Sequence, residues 1–365
     1  MEQKTEFTIE ECVQVIKNSA EIILDEKSSQ DSVCNAYINM HRVFLGIAGN
    51  FVNNSHIKNF PQSVFGKVLP ATLAASTIQD ALLNRKYTVA LYKAIQQAHE
   101  KFPGERINIF YPLSGPYAHL VLPLAAKFSS KDISFFFLDV AKETLDGLWK
   151  IINTLGLNEY INQVFIGDPA NHNHTKFEPY HILFTNSIQN TLNREPFLGM
   201  VPHLKQWLKE GGIVVPQAVN IEAFLYPEPI FIDFVTTQKS KTVPKDDEIY
   251  KLGEIFRWDT NFLPESLPVR NPNGSIEPVI LPWGKFTIPE YQYQKPYLVA
   301  HTNIHLIEDI HSELSESGCT IPRGWPRDRV PQTNDQLDFF YYWGDDPQLV
   351  YTLNGQNPSL AAAGY

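Results

Sequence analysis

At 365 residues with 43% apolar content, the chain is long enough to bury a large core, and two domains, or one with substantial additions, is the natural expectation. Forty acidic residues against 30 basic ones give a net charge of −10, which argues against a nucleic-acid backbone as partner. Cys12, Cys34 and Cys319 form neither a disulfide framework nor a zinc-ligand spacing, the N-terminal stretch lacks an apolar signal core, and no apolar run reaches membrane-spanning length, so the expectation is a soluble, cytoplasmic protein away from membranes.

The first hundred residues read as helical. Ile9, Cys12, Val13, Ile16, Ala20 and Ile23 follow helix spacing, and Thr8 with Glu11 has the form of a capping box. Asp31 is placed to cap a second helix carrying Val33, Tyr37, Met40, Phe44 and Ile47. A third helix is expected over 70–83, with Pro70 in its first turn, and a fourth carries Tyr87, Ala90, Leu91, Ala94, Ile95 and Ala98. These stripes bury a core and demand no chemistry.

From 101 to 216 strands and helices alternate. Residues 107–111, 133–138, 163–166, 181–185 and 213–215 read as strands, and 118–128 and 142–155 as helices. In 180–217 the helix is expected to carry Leu198, Val201, Leu204 and Leu208 on one face beside Trp207, and to stop at Gly211-Gly212. The alternation predicts an α/β fold with a parallel, doubly wound sheet, in which ligands bind beyond the carboxyl ends of the strands.

After Pro216 the pattern turns β-rich. Strands are expected over 218–225, 231–235 and 297–307, with a hairpin of 337–343 and 348–353 across a Gly-Asp-Asp-Pro turn. The Pro- and charge-rich stretch 242–283 reads as a long excursion over the surface or the site. The division is thus 1–100, helical; 101–216, α/β; and 217–365, β-rich.

The residues that follow each strand are the ones able to meet a ligand. After the first comes Ser114-Gly115, where a glycine lets the backbone approach a ligand, or simply makes a tight turn. Asp139 follows the second; a carboxylate there accepts from both hydroxyls of a ribose, or caps the next helix. Gly167-Asp168-Pro169 follows the third, with Asp168 either a ligand acceptor or part of an Asp-Pro turn.

Taken together, Gly115, Asp139, Asp168 and the segment 180–217 resemble class I S-adenosylmethionine (SAM) methyltransferases over about residues 70–225, and most closely the protein arginine methyltransferase branch. The resemblance implies a Rossmann-like SAM-binding domain with a helical N-terminal segment and a β-rich C-terminal domain. It implies Ser114, Gly115, Asp139, Asp168, Asn186 and Arg85 as cofactor-binding residues, a small-molecule substrate and, by analogy with arginine-type relatives, a homodimer. The chain departs from the family in two places. Arginine methyltransferases hold the substrate guanidinium between two glutamates after the fourth strand; the matching positions here are Asn186 and Glu195, so one carboxylate is a neutral amide. Their Arg-Thr pair, whose arginine grips the SAM carboxylate, is matched by Tyr87-Thr88, leaving Arg85 or Lys86 to reach instead. Both departures point away from protein arginine and toward a small or amino-acid-like acceptor, methylated on N or O. A protein methyltransferase with an altered loop, or an inactive partner subunit of the same fold, are the other readings.

Methyl transfer is an in-line displacement that needs alignment and exclusion of water, with a base where the acceptor must lose a proton. The catalytic candidates are Glu195, which otherwise serves as a helix-start acid, and His301, which shares a strand face with Asn303 and His305 that lines a cavity or meets water. His172 and His174 read as solvated loop histidines, with no partners to complete a metal set, and Arg323 as a surface arginine or a carboxylate or phosphate contact.

Overall fold

Thr8 and Glu11 close the expected capping box: the Thr8 amide donates to Glu11 Oε2 at 2.7 Å and the Glu11 amide to Thr8 Oγ1 at 3.2 Å. The computed structural model describes residues 7–49, 60–237, 245, 248–292, 295–325 and 331–355. Helix α1 (Ile9–Leu24) buries Cys12, Ile16, Ala20 and Ile23. Helix α2 (Gln30–Ala48) is capped by Ser29, which accepts from the Ser32 amide at 3.1 Å, while Asp31 sits inside the first turn. A short hairpin, β1 (Gln62–Ser63) with β2 (Gly66–Lys67), leads to α3 (Ala71–Ser76). The expected helix over 70–83 is divided: a 3₁₀ turn, Thr77–Gln79, and Asp80 at φ −82°, ψ 63° set α3 apart from α4 (Ala81–Lys101).

Next come β3 (Ile107–Pro112), β4 (Ile133–Asp139), α5 (Lys142–Thr154), β5 (Ile161–Ile166), β6 (Tyr180–Phe184), α6 (Phe197–Lys205) and β7 (Leu208–Val215). The five strands form one parallel sheet in the order β5-β4-β3-β6-β7. Every residue of β3, β4 and β6 is buried, as expected of a parallel sheet covered on both faces. The order reverses between β3 and β6, so the crevice of such a sheet opens at their carboxyl ends.

Two expectations for this region fail. Residues 118–128 make turns and a five-residue 3₁₀ helix (Leu122–Ala126), not an α-helix. Pro123 falls inside the expected helix, where its ring displaces the carbonyl four residues back, and Leu113 and Ala118 take positive φ (54° and 41°). The N-terminal hairpin covers this segment instead: Phe44 packs on Tyr117 and Tyr37 on His119, with ring centroids 5.6 and 6.5 Å apart. The second failure concerns Gly211-Gly212. The helix has already ended at Lys205, Leu208 opens β7, and the glycines lie within the strand where its register against β6 jumps between Tyr180↔Leu208 and Ile182↔Ile213. Gly211 has φ +78°, and a Cβ on Gly212 would stand 2.9 Å from the His181 carbonyl, so this is a glycine kink in a strand rather than a helix stop.

The remainder is a separate antiparallel region: β8 (Ala218–Tyr226), α7 (Glu228–Thr237), β9 (Tyr250–Asp259), β10 (Val269–Arg270), β11 (Ile276–Glu277), β12 (Val279–Thr287), β13 (Tyr297–Ile307), β14 (Ile310–His311), β15 (Arg323–Gly324), β16 (Gln336–Trp343) and β17 (Gln348–Leu353). One sheet runs β14-β13-β8-β9 with β15 on β13; another runs β12-β16-β17, the last pair being the expected hairpin. Residues 231–235, expected as a strand, lie in α7, whose first turn holds Glu228 and Pro229, residue types suited to a helix start. The 242–283 stretch is an excursion only in part: β9 and much of β12 fall within it, and the largely exposed 260–278 between them holds only the two-residue strands β10 and β11, while 242–244 and 246–247 lie outside the described residues. A continuous core links Ile16 and Phe44 of the helical hairpin to Phe136 and Val201 and on to Ile221 and Phe339 of the antiparallel region.

Candidate functional site

The carboxyl ends of β3, β4 and β6 open into a cavity of about 180 Å³. Its wall is built from the Val68-Leu69 strap, Ala74 and Thr77, the start of α4, Leu113-Ser114-Gly115 after β3, Asp139 at the end of β4, residues 186–189 with Glu195 and Pro196 after β6, and Cys319. Of the residues singled out from the sequence, Ser114, Gly115, Asp139, Asn186 and Glu195 meet here.

Helix α4 contributes one face. Asp80, Leu83, Asn84 and Tyr87 lie at the 0, 3, 4, 7 spacing of a helical stripe, and all four line the cavity. Arg85 and Lys86 therefore point elsewhere. Arg85 donates to the carbonyls of Ile23 (3.2 Å) and Asp25 (2.7 Å) and so anchors the end of α1. Lys86 pairs with Glu313 at 3.3 Å and Glu316 at 2.9 Å. The expectation that Arg85 reaches a ligand carboxylate in this cavity is corrected by the phase of its own helix.

Gly115 has φ +66°, and a Cβ there would stand 3.2 Å from the Cβ of Ala74, so the turn after β3 needs glycine both for its backbone and for the close approach of α3. Beside it Asp139 is buried and accepts from the Ala141 amide at 3.0 Å. Burial pushes its carboxyl up to about 7, against the pull of backbone hydrogen bonds from Ala141, Val140 and Gly115. Asp139 is not the cap of α5, whose N-cap is Ala141 without a side-chain hydrogen bond; its carboxyl is turned to the Val140-Ala141 backbone and the Gly115 turn.

Asn186 is held by the Tyr111 hydroxyl, which donates to its Oδ1 at 2.8 Å. Glu195 is wholly enclosed; burial pushes it up to about 8, offset only by Gln189. The backbone of this corner is pinned from outside, since the Lys67 amide donates to the Arg194 carbonyl at 2.6 Å and Gly66 lies against the Arg194-Glu195 peptide, where any Cβ would come within 2.5 Å of that carbonyl. Asp80 is raised to about 6, by burial first and then by Glu316, with Ser317 and the Gly318 backbone alongside. Cys319 donates to the Ile188 carbonyl at 3.0 Å, and burial, then Glu195 and Asp80, push its thiol up to about 12. The Tyr87 hydroxyl is fully buried and has no hydrogen-bond partner. No Lys, Arg or His among the described residues lines the cavity. The site is therefore a small, partly open space lined by three carboxyls and no cationic side chain among the described residues.

Asp168 and His301 stand apart from it. Asp168 accepts from the Ala170 amide (2.9 Å), the Ser63 hydroxyl (2.6 Å) and the Val64 amide (3.2 Å); it caps the turn after β5 and braces the β1–β2 hairpin, which leaves no oxygen directed at the cavity. His301 stacks on Phe224 with ring centroids 3.9 Å apart, and its Nε2 lies 2.6 Å from the Tyr226 hydroxyl. Burial, then Lys251, holds its imidazole down to about 4. His172 and His174 are not solvated either. They are buried together among Phe110, Phe165 and Tyr180, 3.2 Å apart through Nε2 and Nδ1. Arg323 is half-buried, and burial and Arg194 lower its pKa. Among the described residues no three His, Cys, Asp or Glu side chains converge as a metal site, and no helix is long and apolar enough to cross a membrane.

Sequence reasoning missed Asp80, Asn84 and Cys319. The polar stripe of α4 was available as a signal, because Asp80, Asn84 and Tyr87 fall on one helical face. Cys319 carries no local signal, since it reaches the cavity only through the fold of the antiparallel region. No protein-family model matches the chain, and no curated protein is significantly similar to it.

Proposed function

We propose that the chain binds SAM at the carboxyl edge of a Rossmann-like sheet and is a methyltransferase acting on N or O of a small acceptor. The observation that carries this reading is Asp139, a buried carboxyl at the end of the second strand in chain order of the parallel sheet, hydrogen-bonded toward the Gly115 turn of the first. In open α/β sheets this is where a ribose is met, and a carboxylate suits its two hydroxyls. The charge of the cavity supports the same ligand class. Three buried carboxyls, an unsatisfied tyrosine hydroxyl and no basic side chain favour a ligand bearing a sulfonium and an ammonium.

When bound, SAM supplies an electrophilic methyl group. Asp139 and the Ser114-Gly115 turn would hold the nucleoside. Glu195 would orient the acceptor and take a proton from it, a task for which an enclosed carboxyl raised to about 8 is suited. The Val68-Leu69 strap and Pro196 exclude water. With Arg85 turned away, the carboxylate of the ligand gains no ion pair from α4.

One observation favours a second reading, a partner subunit that retains the fold without turnover: the 180 Å³ cavity is below the roughly 300–1,000 Å³ of most small-molecule sites. The two readings separate on ligand binding. SAM or S-adenosylhomocysteine (SAH) at millimolar concentration should raise the melting temperature, and Asp139→Ala should remove most of that rise. No rise with either ligand leaves the partner-subunit reading standing, and an unchanged rise in Asp139→Ala overturns the ribose role.

A further inference from the structure

We infer that Tyr341 and Thr302, on strands β16 and β13 of the antiparallel region, are positioning residues that hold the loop after β6 in the form that encloses Glu195. The role of Glu195 in methyl transfer rests on the reading above; the hold on the loop does not.

Just before Glu195 the backbone is wound against its own preference. Thr191, Leu192 and Arg194 have φ of 58°, 54° and 66°, a left-handed region that residues other than glycine seldom occupy. A Cβ there crowds the following carbonyl, and such a conformation persists only where the surroundings over-determine it. Turns within the loop join only near neighbours, as where the Glu195 amide donates to the Asn193 carbonyl at 2.8 Å.

The bonds that fix the strained residues come from the antiparallel region. The Tyr341 hydroxyl donates to the Leu192 carbonyl at 2.7 Å. Thr302 Oγ1 accepts from the Thr191 amide at 2.9 Å and donates to Asn190 Oδ1 at 3.1 Å. The Pro347 carbonyl, in the turn between β16 and β17, accepts from the Arg194 amide at 2.7 Å. Tyr341, Thr302, Thr191 and Leu192 are all buried, so a group left without its partner here is costly. Tyr341 is itself placed by Phe256 of β9, with ring centroids 5.4 Å apart, and Thr302 by its pairing with Ile221 of β8.

Neither residue lines the cavity, so both act on it through the loop. A change from these φ values to the ordinary right-handed turn, at about −60°, redirects the chain immediately before Glu195. The carboxyl cannot then keep its place against Gln189, its side-chain partner in the same loop. Tyr87 of α4 and Cys319 are the titratable groups that feel its charge, and both are neutral through the ordinary pH range. A Glu195 carboxyl released from the enclosure meets water and returns toward ordinary ionisation. That response separates positioning from plain stabilisation, which lowers the stability of the fold and leaves Glu195 as it was.

The test uses no ligand, so it stands or falls apart from SAM binding. Melting temperatures of the full chain are measured at pH 5 and pH 8.5 for the wild type and for Tyr341→Phe, Thr302→Val and Tyr291→Phe, each with and without Glu195→Gln. The readout is the gap in melting temperature that Glu195→Gln opens between the two pH values in each background. The expected gap is several degrees in the wild type and smaller by at least half in Tyr341→Phe and Thr302→Val, whatever overall stability these lose. Tyr291→Phe removes a hydroxyl bonded to the Pro331 carbonyl (2.6 Å), outside the loop, and should keep the whole gap. An unchanged gap in Tyr341→Phe and Thr302→Val makes their bonds ordinary stabilising ones and overturns the inference. An equal loss in Tyr291→Phe, or no gap in the wild type, overturns it as well. A gap that falls in only one of the two variants upholds that residue and strikes the other, and if one of them fails to fold the other decides.

Discussion

Replacing Glu195 by glutamine should change how stability depends on pH, and the size of the change follows from the site. Glu195 is fully enclosed, and desolvation raises its carboxyl from an ordinary 4.5 to about 8. Below pH 4.5 the carboxyl is protonated in both the folded and the unfolded chain, and it carries no penalty. Between 4.5 and 8 the unfolded chain releases the proton and the folded chain keeps it, so stability falls as pH rises. Above 8 both states are ionised and the full cost is in place. Each pKa unit is worth about 1.4 kcal/mol, so the loss across the window is at most ~5 kcal/mol. With an unfolding entropy of about 2 cal/mol/K per residue, a chain this long loses ~6 °C of melting temperature over that range. Glu195→Gln removes this term and leaves those of Asp139 and Asp80, which are raised to about 7 and about 6. Melting curves of the two proteins without ligand, from pH 5 to pH 8.5, should therefore diverge, with the variant the more stable by several degrees at the alkaline end. Parallel curves would refute the argument, because they would mean that the Glu195 carboxyl has a charge partner or water the structure does not show.

Two further substitutions probe the scaffold around the cavity. Gly199→Ala places a Cβ 2.4 Å from Phe65 Cδ1 and 2.5 Å from Trp343 Cζ2, so it should cost about 1–3 kcal/mol in urea unfolding; an unchanged midpoint would mean these rings move freely. Asp168→Ala removes three hydrogen bonds to Ser63, Val64 and Ala170 and should cost ~2 kcal/mol while leaving SAH affinity within twofold. An affinity loss as large as that of Asp139→Ala would return Asp168 to the ligand.

Much of the parallel sheet was legible because β3, β4 and β6 are short, mostly apolar runs, and a strand buried on both faces has few other ways to read. The capping box of α1 was legible because both halves of the motif lie within four residues. The errors have a common form, in which a local signal is outweighed by one residue or by a distant partner. Pro123 ends the helix expected over 118–128, and the α1–α2 hairpin then covers what the helix would have covered. Gly211-Gly212 has the composition of a helix stop, yet pairing with β6 draws the chain into a strand three residues earlier. At the site, Asp139 and Glu195 followed from strand-end logic, which depends only on topology. Asp168 did not follow, because its oxygens are taken by a hairpin a hundred residues upstream in sequence, and no spacing rule carries that contact. His301 looked available on an alternating strand face, but Phe224 and Tyr226 of the neighbouring strand cover it.

Helix α4 explains why the cavity carries charge of one sign. A helix advances 100° per residue, so Asp80, Asn84 and Tyr87 share a face while Arg85 and Lys86, two and one residues before Tyr87, are carried around to others. Arg85 is then fixed by two backbone carbonyls at the end of α1, and Lys86 by Glu313 and Glu316. Neither can swing into the cavity without leaving those partners unpaired. The deficit of positive charge is thus built into the helix phase and its packing, and a rotamer change does not relieve it. Only protons or a bound cation can. The raised carboxyls correspond to the first of these, protons held at the cavity wall, and a cationic ligand supplies the second. The two compete for the same oxygens, so ligand binding should release protons. Calorimetry of SAM binding at pH 7 in buffers of different ionisation enthalpy should show that release as a buffer-dependent heat in the wild-type protein. In Glu195→Gln, measured at a concentration that restores saturation, the buffer dependence should shrink. The same release in both proteins would place the displaced proton on Asp80 or Asp139 rather than on Glu195.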